Sequence, residues 1–478
     1  MYTVHFEPMA SPMSKDSVRP ASVGYDARLG TFSGTMLVVG GVIGAGIFLS
    51  PAVVAQRVGT ASLTLGAWGL GALVAIIGGF VYAELGSRRP LAGGTYIYLR
   101  DAWGPLPAFL YGWALFLIMA TGAIAAVGMT GASYLATLIG LPAESTTALA
   151  IAIVVVLTLL NVVGIRIGAT TGNVLTVLKL GAIGVLVLAA LLMSPANTGE
   201  LTGAMASPPP LTPPVGGTAI VLAMGAALVP VLFSFGGWQQ TNAVAEELVD
   251  PARTLPRVLI IGVLVVVATY MLVNVAYLRA LGVEGLAASS APAADTMFVY
   301  LGPAGRTLIA CGIVASTVGF LSMVILMSAR VYQAMAADGL FFHSMATLHP
   351  RTRTPVAALL GQGAVTIALL LTGSYGQLLD YVVFADWIFF GSTAAALFVL
   401  RARDQKSGIR PAVQTPLHPF STLLFIAAAI YVVIGSITSN PGNAARGAGL
   451  LALGLPVYAY WRRQQRRSGT PMSNARAE

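Results

Sequence analysis

Apolar residues run along this chain in long blocks, separated by short polar clusters, and rarely alternate with polar ones. Alternation marks half-buried strands, whereas a block of about 20 apolar residues is long enough for an α-helix to cross the hydrocarbon core of a bilayer. Twelve such blocks lie near 31–55, 61–84, 105–139, 147–164, 171–193, 217–246, 255–280, 302–336, 355–373, 377–400, 417–437 and 445–461. The pattern predicts an all-α membrane protein with 12 transmembrane helices. Between the fifth and sixth blocks, segment 194–216 contains Ser207-Pro208-Pro209-Pro210 and Pro213-Pro214. Proline-rich backbone cannot satisfy its own polar groups in lipid, which makes this segment a loop outside the bilayer.

Composition narrows the class. Only 9% of the 478 residues are charged and 56% are apolar, with mean hydropathy +0.82. A soluble domain carries about 25% charged residues, so a soluble enzyme is excluded. Met1–Gly30 is polar and has no apolar stretch ending in a cleavage site, so the first span is itself the expected targeting element. Cys311 is the only cysteine, which excludes an intrachain disulfide and a cysteine-cluster metal site. His5, His343, His349 and His418 fall in tails or loops without ligand spacing. No metal and no cofactor is expected.

The 26 Lys and Arg against 17 Asp and Glu raise the question of a nucleic-acid partner. Their placement answers it. With the N-terminus inside, 21 of the basic residues fall in cytoplasmic segments, Arg57, Arg279, Arg306 and Arg446 fall outside, and Lys179 lies within a span. That is the positive-inside bias of a plasma-membrane protein, and no nucleic acid is needed to explain it. It predicts a cytoplasmic N-terminal tail over 1–30, a cytoplasmic loop over 402–416 and a cytoplasmic C-terminal tail over 462–478. The Pro-rich loop 194–216 is then external. The lipid bilayer is one partner; a homo-oligomer is compatible with the sequence.

Two spans invite unwinding. The first contains Gly40-Gly41-Val42-Ile43-Gly44-Ala45-Gly46, and the sixth contains Phe233-Ser234-Phe235-Gly236-Gly237-Trp238. They open two five-helix halves, over 31–193 and 217–401, and glycine-interrupted segments at corresponding positions point to an inverted-repeat transporter site. A half-helix N-terminus offers free N–H groups to an anion, while carbonyls freed at a break accept from an ammonium. Such a pair suits a zwitterion. Gly40 and Gly44 equally make a G-x-x-x-G packing notch, and spacing alone does not separate notch from break.

Lys179 stands inside the apolar run 174–192, where an ionisable residue is costly and marks function unless it snorkels to the surface. Asp386, beside Trp387, lies in the tenth span, either within the membrane or in an interfacial aromatic belt formed with Phe389 and Phe390. Arg166, Arg330 and Glu246-Glu247 fall at predicted cytoplasmic helix ends and read as solvated ends or gate ion pairs. Nothing resembles a nucleophile–base pair for a membrane enzyme or a charged filter ring for a channel. The short tails offer no signalling domain for a sensor.

Several ordered stretches resemble one family: Gly44-Ala45-Gly46-Ile47-Phe48, Tyr82-Ala83-Glu84-Leu85 and Pro90-Leu91-Ala92-Gly93-Gly94-Thr95-Tyr96. Phe235-Gly236-Gly237-Trp238, Glu246-Glu247 with Pro251 and Pro256, and Ser328-Ala329-Arg330 through Asp338-Gly339 follow in order. Over about residues 28–462 the chain resembles the amino acid–polyamine–organocation (APC) superfamily, in its L-amino-acid transporter branch and bacterial permease relatives. The resemblance implies a LeuT-type five-plus-five inverted repeat with helices 1 and 6 broken, followed by two C-terminal helices over 417–461. It implies a substrate carboxylate at the N–H groups of Gly44, Ala45 and Gly46, and an amine at carbonyls near Ile43, Phe233 and Ser234. Phe233 would be an aromatic gate, with Gly236, Trp238 and Gln239 at the sixth-helix break and Asp386 on the pocket wall. Lys179, with Ser316 as neighbour, would stand where sodium-coupled relatives bind sodium.

Two departures qualify this. The loop Gly140–Thr146 lacks the cysteine through which animal members join a glycoprotein, so no disulfide-linked heavy chain is expected. Asp386 stands where carriers of large neutral amino acids are expected to have a neutral residue. The resulting expectation is a secondary transporter, not an enzyme, that exchanges neutral L-amino acids without sodium by alternating access. Proton-coupled symport, or a cationic amino acid or polyamine substrate, is the alternative.

Overall fold

The structure, a computed structural model, describes residues 25–196, 211, 213–372, 375–408, 410–439 and 441–468. Most of the expected N-terminal tail, the proline-rich part of loop 194–216 and the end of the C-terminal tail lie outside the described residues. The described chain is almost wholly helical. The first predicted block is cut into α1 (Thr31–Val42) and α2 (Gly46–Val58), bent by 42°. α3 (Ala61–Arg88) starts at Thr60, whose hydroxyl accepts from the Leu63 N–H and caps the first turn. α4 (Thr95–Trp103) turns through Gly104 (φ 94°) into α5 (Pro105–Ala114), which passes through a π-helical turn, Leu115–Met119, into α6 (Ala120–Leu138).

α7 (Thr146–Val163) and α8 (Ile165–Leu192) complete the first expected half. α9 (Gly217–Ser234) leaves the α-helix at Phe235–Gly237 and resumes as a 3₁₀ segment, Trp238–Glu247. α10 (Pro251–Ala288) and α11 (Pro292–Ala337) each carry proline in the first turn, where its missing N–H costs nothing, and each bends at a positive-φ glycine, Gly282 or Gly302. α12 (Val356–Thr372), α13 (Tyr375–Lys406), α14 (Phe420–Ser439) and α15 (Pro441–Ser468) follow.

Among the described residues nine helices are long and apolar enough to cross a membrane, ten when α1 and α2 are taken as one broken span. The chain is therefore a multi-pass integral membrane protein. Two of the twelve expected spans fall short by that measure. α12 has only 17 residues, and the apolar stretch of α15 is flanked by Arg446 and Arg462–Arg467. The helix missing from the sequence reading is α4, a mixed polar segment in the expected cytoplasmic loop between the second and third spans.

Small residues set the packing, as they do where helices meet without a hydrophobic driving force. Gly262 lies against Val38, Gly312 against Ala182, and Gly40 against Thr176 and Met323. Gly40 is thus a packing notch, while the break falls three to five residues later. α11 is the central post, packed against α8, α6 and α1.

Candidate functional site

The two breaks face each other. At the first, the α1 helix ends at Val42, and the Gly44 N–H turns back to the Val42 carbonyl at 2.9 Å. α2 restarts at Gly46; the Phe48 N–H returns to the Ala45 carbonyl at 3.1 Å, and the N–H groups ahead of it have no intrahelical acceptor. At the second, Gly237 takes φ 115°, and a Cβ there would stand 2.1 Å from the Gly41 carbonyl oxygen. Only glycine allows the two breaks to approach this closely. A Cβ on Gly46 would likewise meet Ser234 Oγ at 2.7 Å.

Lys179 does not snorkel. It is fully buried, and its Nζ donates to the carbonyls of Ile43 (2.5 Å), Gly40 (3.2 Å) and Ser316 (3.2 Å). Ser316 Oγ donates to the carbonyls of Ile43 (3.1 Å) and Gly44 (3.2 Å). One ammonium and one hydroxyl therefore satisfy three carbonyls at the α1 break, those of Gly40, Ile43 and Gly44. The cluster ties α8 and α11 to the broken span with a positive charge held entirely by oxygen dipoles. Tyr270 provides the matching brace between the breaks, donating to Ser234 O (3.0 Å) and Val42 O (3.3 Å).

Between the breaks lies a cavity of about 70 Å³. Of the residues expected at a substrate site, Gly44, Ala45, Gly46, Phe233, Ser234, Gly236, Gln239 and Asp386 line it. Ile43 and Trp238 do not. The Ile43 carbonyl is turned toward Lys179 and Ser316 and has both lone pairs engaged. Trp238 is buried one layer behind, against Tyr82 and Phe390 at centroid distances of 5.1 and 6.0 Å. Gln239 Oε1 accepts from the Gly237 N–H at 2.9 Å, so part of its side chain caps the break.

Asp386 makes no hydrogen bond or ion pair with any described residue, and its helix packs on α4, α6 and α14 rather than on the broken spans. Asp386 and the α2 N-terminus thus line one cavity from helices that do not pack on each other. Trp387 and Phe390 are buried at 4% exposure each and line the cavity beside Asp386, which excludes the interfacial belt for these two rings. Sequence reading missed Met119, Phe320 and Gln240 as lining residues. Phe320 carries a readable signal, since it lies four residues after Ser316 on the same helix face. Met119 ends the π turn, a local departure that hydropathy cannot register.

On the expected cytoplasmic side, buried ion pairs join the helices. Arg330 and Glu247 form a buried pair (Nε–Oε1 2.7 Å), and Arg100 Nη1 meets Asp338 Oδ2 at 2.8 Å, also buried. Glu84 is fully buried and receives Arg88 (2.7 Å), Arg401 (2.6 Å) and the Thr415 N–H (2.7 Å). Arg330 and Glu247 are thus an internal ion pair, whereas Arg166 is an exposed helix end. Among the described residues no group of three or more His, Cys, Asp or Glu is placed to hold a metal ion.

A model of the family described as amino acid permease matches residues 29–450. The serine/threonine exchanger SteT of Bacillus subtilis (strain 168) is 29% identical over 438 residues, covering 91% of this chain and 97% of that protein. The large neutral amino acids transporter small subunit 2 of Mus musculus is 30% identical over 467 residues, covering 94% of this chain and 84% of that one. The b(0,+)-type amino acid transporter 1 of Mus musculus is 27% identical over 419 residues, covering 87% and 83%.

Proposed function

The chain belongs to the amino acid permease family, a family of transporters and not enzymes, and from that premise we propose that it exchanges neutral L-amino acids across the cytoplasmic membrane without sodium. The reading takes the twelve-span, LeuT-type five-plus-five arrangement with both termini cytoplasmic. The mechanism is alternating access, with the two halves rocking around a fixed site at the facing breaks.

The observation that carries this reading is the fully buried Lys179 ammonium on the carbonyls of Gly40, Ile43 and Ser316. A cation fixed by the protein at the α1 break leaves no role there for a cation from solution. The substrate carboxylate goes to the free N–H groups at Ala45 and Gly46, in the positive field of the α2 N-terminus. The ammonium takes the remaining lone pairs of the Phe233 and Ser234 carbonyls, and Phe233 covers the site. No disulfide-linked heavy chain is required, since Gly140–Thr146 offers no thiol.

The test is uptake into proteoliposomes. Labelled serine, threonine, alanine and leucine should enter vesicles preloaded with amino acid, enter empty vesicles poorly, and be indifferent to replacing sodium with choline. The Asp386 carboxylate, without a partner among the described residues, favours one second reading, proton symport. Accumulation by empty vesicles that requires an inward acid gradient would select it over exchange.

A further inference from the structure

We infer that the cytoplasmic end of α15 is a binding site for anionic phospholipid headgroups of the inner leaflet, and that it is joined to the buried ion pair at the foot of α11. Arg463, Arg466 and Arg467 are exposed, spaced i, i+3 and i+4, and form no ion pair among the described residues. Such spacing puts all three on one helix face. Tyr460, 61% exposed, precedes them on the same face by one turn. An amphipathic aromatic ring followed by three guanidinium groups suits the step from acyl chains to phosphates. Arginine also binds phosphate oxygens in a planar two-point geometry that a solvated lysine does not offer.

The positive-inside bias alone would account for basic residues here, but not for the opposite face of the same helix turn. Trp461 packs edge-on against Phe342 at 5.2 Å. Gln465 is buried; its Nε2 donates to the Asp338 carbonyl at 2.6 Å, and its Oε1 accepts from Arg462 at 2.5 Å. The Asp338 carboxylate in turn accepts from Arg100 Nη1 and Tyr96 OH, each at 2.8 Å. Arg100 and Tyr96 belong to α4, and just ahead of that helix the Gly93 N–H donates to Ala243 O in the 3₁₀ segment after the α9 break. A lipid clamped on the outer face of α15 thereby steadies a continuous set of bonds leading to the broken span. A basic stretch just inside a membrane helix gains about 1 kcal/mol per residue from an anionic surface, roughly fivefold in binding for each arginine.

The experiment uses the purified full chain, titrated with phosphatidylglycerol or phosphatidylcholine, with binding read by native mass spectrometry and melting temperature read in parallel. The wild type should prefer phosphatidylglycerol and melt several degrees higher with it. Arg463→Gln/Arg466→Gln/Arg467→Gln should weaken that binding at least about tenfold, while melting like the wild type in phosphatidylcholine. The corresponding triple lysine variant should keep a reduced preference, which separates lost charge from lost structure. Gln465→Ala should still bind the anionic lipid but gain less stability from it. Equal binding by the wild type and the glutamine variant would overturn the site. So would equal affinity for the two lipids, or competition by soluble glycerol 3-phosphate as effective as the lipid itself.

Discussion

Lys179 and Asp386 show how far a single residue can be read before coordinates are available. A lysine in the middle of an apolar run is conspicuous because burying it is costly, and its partners are backbone carbonyls that sequence composition does not reveal. Lys179→Ala strips a donor from the Gly40 and Ile43 carbonyls at the α1 break and from the Ser316 carbonyl on α11; Ile43 keeps the Ser316 hydroxyl, and a buried carbonyl left without a donor costs about 1–3 kcal/mol. Exchange should fall at least about tenfold as the break loses its fixed geometry. The melting temperature should drop while a single dispersed species remains by size exclusion. Full exchange by a well-folded Lys179→Ala protein would remove the assigned role. Asp386 was legible as an acid of the tenth span, within the membrane or at its interface, but not as one without a partner among the described residues; that depended on α13 packing away from the broken spans. Asp386→Asn removes the charge and keeps the shape. Under the exchange reading it should leave uptake of neutral amino acids within about threefold and insensitive to pH. If the variant loses an acid-driven accumulation that the wild type shows, proton symport takes over as the mechanism.

At the scale of elements, the breaks are where sequence pattern and geometry converge, because glycine is conspicuous and its use here is steric. Gly40 faces Thr176 and Met323, Gly46 faces Ser234, and Gly237 faces the Gly41 carbonyl, so one motif supplies a notch and a closely packed break together. Spacing could not separate these uses, since both require a missing Cβ. Gly237→Ala should be the most damaging small substitution. It adds a side chain at φ 115° and drives it into a backbone oxygen 2.1 Å away, with no flexible side chain to yield. A destabilisation of about 3 kcal/mol or more, seen as a large fall in melting temperature, is expected. Gly46→Leu instead wedges α2 from Ser234 and intrudes on the cavity. Ligand-induced thermal stabilisation should vanish, and retained stabilisation by amino acids would count against the site. Other elements were illegible for a physical reason. The π turn at Leu115–Met119 is held by Tyr332 donating to Leu115 O at 3.2 Å, a bond made across 217 residues. α4 is too polar for the block pattern and owes its place to Arg100–Asp338 and Tyr98–Asn242.

Buried ion pairs join the helices on the expected cytoplasmic side of the molecule, and their part in closing it is testable. Gln239 and Gln240 line both the central cavity and a narrow cleft beneath it, walled by Thr95, Tyr111, Met327 and Ser328. Below the cleft, Glu247 at the end of the 3₁₀ segment meets Arg330 on α11, both almost fully buried. The strand-like contact of Leu29 with Leu248 and the Arg28 and Leu29 N–H bonds to the Glu247 carbonyl tie the approach to α1 into the same latch. The approach to α1 and the end of the 3₁₀ segment thus run side by side, and the Glu247–Arg330 pair fastens the latter to α11. Removing one partner of a buried pair leaves the other charge desolvated, at about 3–5 kcal/mol. Glu247→Gln should therefore shift the population toward a cytoplasm-open form on the order of a hundredfold. With Cys311→Ser as background, Ser328→Cys reports this as faster labelling by an impermeant maleimide in inside-out vesicles. Glu247→Gln combined with Arg330→Met removes both charges and should restore slow labelling, because no uncompensated ion remains. If Glu247→Gln labels no faster while keeping its fold, the pair holds the helices together without gating them, and the closure must be sought at Arg100–Asp338 instead.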